Sequence, residues 1–159
     1  MGSLDPGEET AMSEYRVIDP ATGDLIREYP EATAEQIEAA LAATAEAAHS
    51  WSRTTSVAER AAAIVRVADL YEERRDELAA IIIREMGKPI DQAHGEIDFS
   101  IDIYRYFGRI AAEALADEEL PVAEGEGPAI VRKQPIGPVL GVMPWNFPYY
   151  QVARFAGAN

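Results

Sequence analysis

The 159-residue chain contains no cysteine. That excludes disulfides, thiolate metal sites and any cysteine nucleophile within these residues. Imidazole is nearly as scarce. His49 and His94 are the two histidines, and they lie far apart in sequence, so no zinc site is expected. No apolar run approaches the roughly 18 residues that a membrane span needs. Basic residues are outnumbered: 14 Lys and Arg against 28 Asp and Glu leave a formal charge of −14. Such a surface repels phosphate backbones and anionic lipid, which makes nucleic acid and membrane poor partners. Acidity kept for solubility is the plainer reading of that charge.

What is present is globular in kind. Hydrophobic residues make up 48% of the chain and charged residues 26%, which argues against disorder. The length suffices for one modest domain with its own core. Residues 1–13 are polar, carry Gly2, Pro6 and Gly7, and lack the apolar stretch of a signal peptide. They read as a disordered tail or cloning scar and are set aside.

From there the chain alternates clear elements. Tyr15 to Ile18 and Leu25 to Tyr29 are short strand-like runs around Asp19-Pro20-Ala21-Thr22-Gly23-Asp24, which predicts a β-hairpin. Thr33 with Gln36, and Ser56 with Glu59, have capping-box spacing and open two helices. Ile37, Leu41, Ala45, Ala48 and Trp51 give the first helix an apolar face. Val57, Ala61, Ile64, Ala68, Tyr71, Leu78 and Ile82 do so for the second, with Glu72 to Glu77 as a solvated charge run. Gly87 and Pro89 stop that helix. A third runs from about Ile90 to Leu115. Three such helices could form a bundle by themselves. Carboxylates such as Glu96, with Ser100 to Asp102, have no acid–base context and are assigned to a solvated face.

The composition then changes. Asp117-Glu118-Glu119 and Glu124 to Pro128 are polar and break helices, and Ala129 to Pro135 reads as an extended strand. Pro138 to Met143 is short and apolar, as in a strand buried on both faces of a parallel sheet. Gln151 to Ala158 begins another helix. A parallel strand needs a neighbour reached through a crossover of about a dozen residues or more, and none follows. The expectation is therefore an N-terminal piece of an α/β protein. Gly137-Pro138-Val139-Leu140-Gly141 is no dinucleotide fingerprint, because its glycines precede the strand.

Pro144-Trp145-Asn146-Phe147-Pro148 sits at the carboxyl end of that expected strand, where open α/β sheets bind ligands. On position alone, a proline-flanked turn with a packed tryptophan is the better reading. The motif is, however, similar to a signature of the aldehyde dehydrogenase superfamily. Asp19-Pro20-Ala21-Thr22-Gly23, Trp51-Ser52-Arg53, Ser56-Val57-Ala58-Glu59-Arg60 and Arg84-Glu85-Met86-Gly87-Lys88-Pro89 resemble the same family in the same order. The likeness covers about residues 15 to 159.

That resemblance implies a fold and a chemistry. Residues 14–116 would be the N-terminal hairpin and helical part of the cofactor-binding domain. Residues 117–136 would be part of an oligomerisation arm, and 137–159 the first strand and helix start of a Rossmann-like sheet. In the family a cysteine thiolate attacks an aldehyde, a hydride passes to NAD or NADP, and a glutamate activates water to release the acid. Asn146 would donate its side-chain amide to the developing oxyanion; losing one such donor typically costs about 2.7–4 kcal/mol. Met143, Pro144, Trp145 and Asn146 would lie against the nicotinamide-side ribose. Phe147 would line the aldehyde entrance, and Tyr150 would face the same pocket.

Arg154 lies eight residues after Asn146, on one helical face with Tyr150. Relatives acting on succinic semialdehyde tend to carry arginine at this place, and a planar guanidinium binds a carboxylate bidentately. The resemblance is thus strongest to succinate-semialdehyde dehydrogenases. It implies a cytoplasmic homo-oligomer acting on a small-molecule aldehyde. This chain, without the nucleophile and general base, is expected to be inactive alone; Lys88 and Lys133 do not match the family's cofactor-phosphate lysine. Two other readings stay open. One is a non-catalytic module that docks onto full-length subunits. The other is an acidic helical domain with chance similarity, which Asn146 inside a helical core would favour.

Overall fold

The computed structural model describes residues 15–123, 125 and 127–159. The tail assigned to residues 1–13 lies outside them. Strands β1 (Tyr15–Ile18) and β2 (Leu25–Tyr29) pair antiparallel as the expected hairpin. Four helices follow: α1 (Ala34–Thr54), α2 (Val57–Glu73), α3 (Arg75–Met86) and α4 (Ile90–Ala114). Then come β3 (Glu118–Leu120), β4 (Ala129–Val131) and α5 (Pro148–Ala158).

Both capping boxes form. Thr33 Oγ1 accepts from the Gln36 amide while Gln36 Oε1 accepts from the Thr33 amide, at 3.2 and 2.9 Å. Ser56 and Glu59 repeat the exchange at 3.2 and 2.7 Å. Each box satisfies two amides that have no partner inside the helix. Gly87 ends α3 in the left-handed region at φ 67°, and its amide donates to the Ile83 carbonyl. The hairpin turn packs here: a Cβ added at Gly87 would stand 3.0 Å from Pro20 Cγ.

The second expected helix is two. Arg74, at φ −110° and ψ 18°, leaves the helical region between α2 and α3. Leu78 falls seven residues after Tyr71, so the apolar repeat runs across the break unchanged and periodicity cannot see it. The charge run around the break is exposed and ion-paired, with Arg74 to Glu77 at 2.6 Å and Arg66 to Glu73 at 2.8 Å.

Helix α4 is the axis of the core, with α2, α3 and α5 packed on it. Ala68, Leu78, Ala79, Ile82, Ala93, Ile97, Ile101, Tyr104 and Ala153 are buried together. Each buried isoleucine or leucine contributes roughly 1.5–3 kcal/mol. Gly108 lets α2 approach closely, since a Cβ there would meet Val65 Cγ2 at 2.5 Å. Helix α1 buries no residue, and its Ile37, Leu41 and Trp51 face are exposed.

Glu118–Leu120, read from sequence as part of a polar breaker, is a strand. It pairs antiparallel with β4, Glu119 opposite Ile130. Its charges are tolerated because all three residues are exposed. The ladder covers Ala129–Val131 and does not extend to Pro135. Residues 138–143, expected as a strand buried on both faces, form no strand and pair with none among the described residues, and most of their apolar side chains are exposed. Leu140 is 89% exposed and Val142 87%.

Candidate functional site at the start of the last helix

Asn146 lies in an exposed turn between the apolar stretch and α5, not inside a helical core. Pro148 opens α5 at its first turn, where its missing N–H costs nothing. The residue before it, Phe147, gives no side-chain cap. The cap arrives from another helix. Glu96 Oε1, on α4, accepts from the backbone amides of Tyr149 at 2.9 Å and Tyr150 at 3.2 Å. A carboxylate at a helix N-terminus satisfies orphan amides and complements the helix dipole.

The other oxygen of that carboxylate, Oε2, accepts from Lys88 Nζ at 2.5 Å. The pair is buried, with the Lys88 side chain 8% exposed and that of Glu96 0%. Lys88 Nζ also donates to the backbone carbonyl of Asn146 at 3.0 Å and sits 3.6 Å from the centre of the Phe147 ring. Residues 88, 96 and 146–150 are thereby tied into one polar junction.

This corrects the assignment of Glu96 and Ser100 to a solvated face. Both are buried, and the Ser100 hydroxyl donates to the Glu96 carbonyl at 2.8 Å. The signal was available. Residues 96 and 100 sit one position before Ile97 and Ile101, inside the stripe that runs from Ala93 to Tyr104. Lys88 was likewise missed as a site residue. It stands just after the helix stop, where nothing in the sequence points it at residue 146.

Beside the junction lies a cavity of about 350 Å³ lined by Gln92, Gly95, Glu96, Phe99, Phe147 and Tyr150. Tyr150 stacks on Phe99, centroids 5.3 Å apart, and meets the Phe147 ring edge-on at 6.1 Å. Arg154 is exposed one turn further on, its guanidinium 5.7 Å from the Tyr150 ring centre. Phe147, Tyr150 and Arg154 thus form a continuous series of contacts. Trp145 stands apart from them. It is 78% exposed and lines a larger groove of about 660 Å³ with Arg16, Met86 and Val152. Met143 approaches Phe155 through Gly141, where a Cβ would clash with both side chains. Pro144 is exposed. Tyr149 points into the core and meets Tyr71 edge-on at 5.6 Å; Tyr71 in turn meets Tyr104 at 5.5 Å. Burial pushes all three phenols above the ordinary tyrosine range. Among the described residues, no group of three or more His, Cys, Asp or Glu is placed to hold a metal ion.

The family model described as "Aldehyde dehydrogenase family" matches residues 8–158. The chain belongs to the aldehyde dehydrogenase family. The succinate-semialdehyde dehydrogenase [NADP(+)] of Deinococcus radiodurans is 38% identical to it over 145 residues, covering 91% of the chain and 30% of the relative. A Mycobacterium tuberculosis succinate-semialdehyde dehydrogenase [NADP(+)] is 40% identical over 140 residues, covering 87% and 30%. Among solved structures, the succinic semialdehyde dehydrogenase of Streptococcus pyogenes with NADP+ superposes with a TM-score of 0.82 at 31% identity. It covers 89% of this chain and 32% of that one. Aldehyde dehydrogenase 21 of Physcomitrella patens, in complex with the product succinate, gives 0.79 at 32% identity, covering 91% and 31%. The chain spans about 30% of the length of the curated relatives it matches. The hairpin, the helices and α5 are thus elements of an aldehyde dehydrogenase α/β fold. No helix among the described residues is long and apolar enough to cross a membrane.

Proposed function

We propose that this chain supplies the oxyanion donor and the aldehyde entrance of an NAD(P)-dependent aldehyde dehydrogenase that oxidises succinic semialdehyde to succinate. The observation that carries the reading is the placement of Asn146. Its backbone carbonyl accepts from Lys88 Nζ at 3.0 Å, and the residue is exposed in the turn that precedes α5. A backbone held in advance suits a side-chain donor for a charge that appears only during reaction.

Phe147 and Tyr150 would line the approach for the aldehyde. Arg154 would bind the far carboxylate of a semialdehyde, and its exposure one turn beyond Tyr150 leaves the guanidinium available for that contact. The names of the curated relatives and the succinate-bound plant structure support the same substrate. Met143, Pro144, Trp145 and Asn146 would hold the nicotinamide-side ribose. The uncovered surface of Pro144, Trp145 and Asn146 suits a cofactor lying across it. Bound there, the cofactor would supply the hydride acceptor. The nucleophile would come from outside these residues, since the chain has no cysteine, and by the family resemblance so would the general-base glutamate.

The test is a hybrid enzyme. This chain replaces the matched part of the Deinococcus radiodurans enzyme, and reduction of NAD+ and NADP+ is followed with succinic semialdehyde and with uncharged butanal. Turnover preferring the semialdehyde is expected, while the purified chain alone gives none with either aldehyde. Turnover by the chain alone, or a hybrid that favours butanal, overturns the reading.

A second reading has its own support. The uncovered faces of α1 and of Ile136, Leu140 and Val142 suit a chain that associates with intact subunits, as in a homo-oligomer or a docked non-catalytic module. Light scattering of the chain alone and mixed with the Deinococcus enzyme separates the two. A monomer that ignores the enzyme sinks the docking reading.

A further inference from the structure

We infer that Lys88 and Glu96 are positioning residues that hold the Asn146 turn in register with the cavity beside it. The inference rests on the reading of Asn146 as oxyanion donor. It comes from a division of labour within one buried ion pair. Lys88 Nζ donates to the Asn146 carbonyl, fixing the peptide that immediately follows the Asn146 side chain. Glu96 Oε1 accepts from the Tyr149 and Tyr150 amides, fixing the first turn of α5. The contact between Lys88 Nζ and Glu96 Oε2 joins the two anchors. The turn is therefore gripped on both sides of Phe147.

The anchors are themselves rigidly based. Glu96 stands in the second turn of α4, between buried Ala93 and Ile97. Lys88 follows the left-handed Gly87 that ends α3 and precedes Pro89 at the start of α4. The ammonium is nearly buried, and the Phe147 ring covers one side of it. Both hold the turn chiefly through its backbone, while Glu96 also lines the neighbouring cavity. Geometry of this kind bears on rate, because an error of about 1 Å in a positioned group can cost about a hundredfold.

The pair makes separable demands. Lys88→Met alone strands a buried carboxylate and risks unfolding. The double variant Lys88→Met/Glu96→Gln removes both charges yet keeps an amide oxygen to accept from Tyr149 and Tyr150. In the hybrid enzyme it should lower kcat at least about tenfold with the aldehyde KM within about threefold. Lys88→Arg should recover part of the loss. Hydrogen exchange of the 159-residue chain supplies a readout that needs no turnover. In Lys88→Met/Glu96→Ala, which removes the acceptor and strands no charge, the Tyr149 and Tyr150 amides should lose at least about ten times more protection than α2. An unchanged kcat in Lys88→Met/Glu96→Gln, or exchange that rises equally in α2 and α5, overturns the inference. Asn146→Ala in the same hybrid keeps the two ideas apart. If that change leaves kcat intact, the oxyanion reading falls, while the exchange result still decides whether the pair holds the turn.

Discussion

Lys88 and Glu96 form a buried ion pair at 2.5 Å in which each partner also holds backbone on one side of Phe147. Buried pairs bring little net stability over an apolar replacement, yet breaking one leaves a stranded charge. Glu96→Gln and Lys88→Met, each leaving the other charge buried and unpaired, should each cost about 3–5 kcal/mol in urea unfolding. Lys88→Met/Glu96→Gln should cost clearly less than their sum, because neither charge is left behind. Strictly additive losses would mean that the two side chains do not sense each other.

Gly87→Ala tests the turn that delivers Lys88. The site sits at φ 67°, and a Cβ would press on Pro20 Cγ at 3.0 Å. The left-handed conformation alone costs a residue with a side chain about 1–2 kcal/mol. A drop of at least that size is expected in the unfolding free energy. An unchanged urea midpoint would contradict the observed geometry.

Some of these features were legible in the sequence and others were not. Thr33 with Gln36, Ser56 with Glu59, and Gly87 before Pro89 are local codes, and each forms the hydrogen bonds its spacing implies. Asn146 could be placed in a turn, and Tyr150 and Arg154 on one helical face, for the same reason. The break at Arg74 was hidden because it leaves the apolar period intact. Glu118–Leu120 was hidden because an exposed two-stranded ribbon asks for no apolar residue. Glu96 was read by its charge and not by its position in the stripe. Its partners come from α5 and from the turn after α3, which sequence spacing does not bring together.

Asp98 offers a pH test. The hydrogen bonds from Arg75, at 2.5 and 2.6 Å, hold its carboxyl below the ordinary range. A lowered folded-state value gives stability that is present above the unfolded value of about 3.9 and is lost as pH falls through the folded one. The side chain is half exposed, so solvent screening keeps the effect small. Urea midpoints of wild type and Asp98→Asn should differ most near neutrality and converge as pH falls through the lowered folded-state value. A gap that widens in acid would reverse the sign of the linkage.

Arg154→Ala should change specificity and leave basic turnover in place. In the hybrid enzyme, kcat/KM for succinic semialdehyde should fall roughly tenfold to a hundredfold, matching a lost charge-assisted hydrogen bond of about 1.5–3 kcal/mol. The value for butanal should move by less than about twofold. Equal losses on both aldehydes would assign Arg154 a structural role and remove the argument for a carboxylate-bearing substrate.

The most direct measurement is kcat of the hybrid enzyme carrying Asn146→Ala, with succinic semialdehyde at saturation. An oxyanion donor at this position predicts a fall of about 10²–10³ with little change in KM. A kcat within about threefold of the unsubstituted hybrid would show that the turn at Asn146 takes no part in the chemistry.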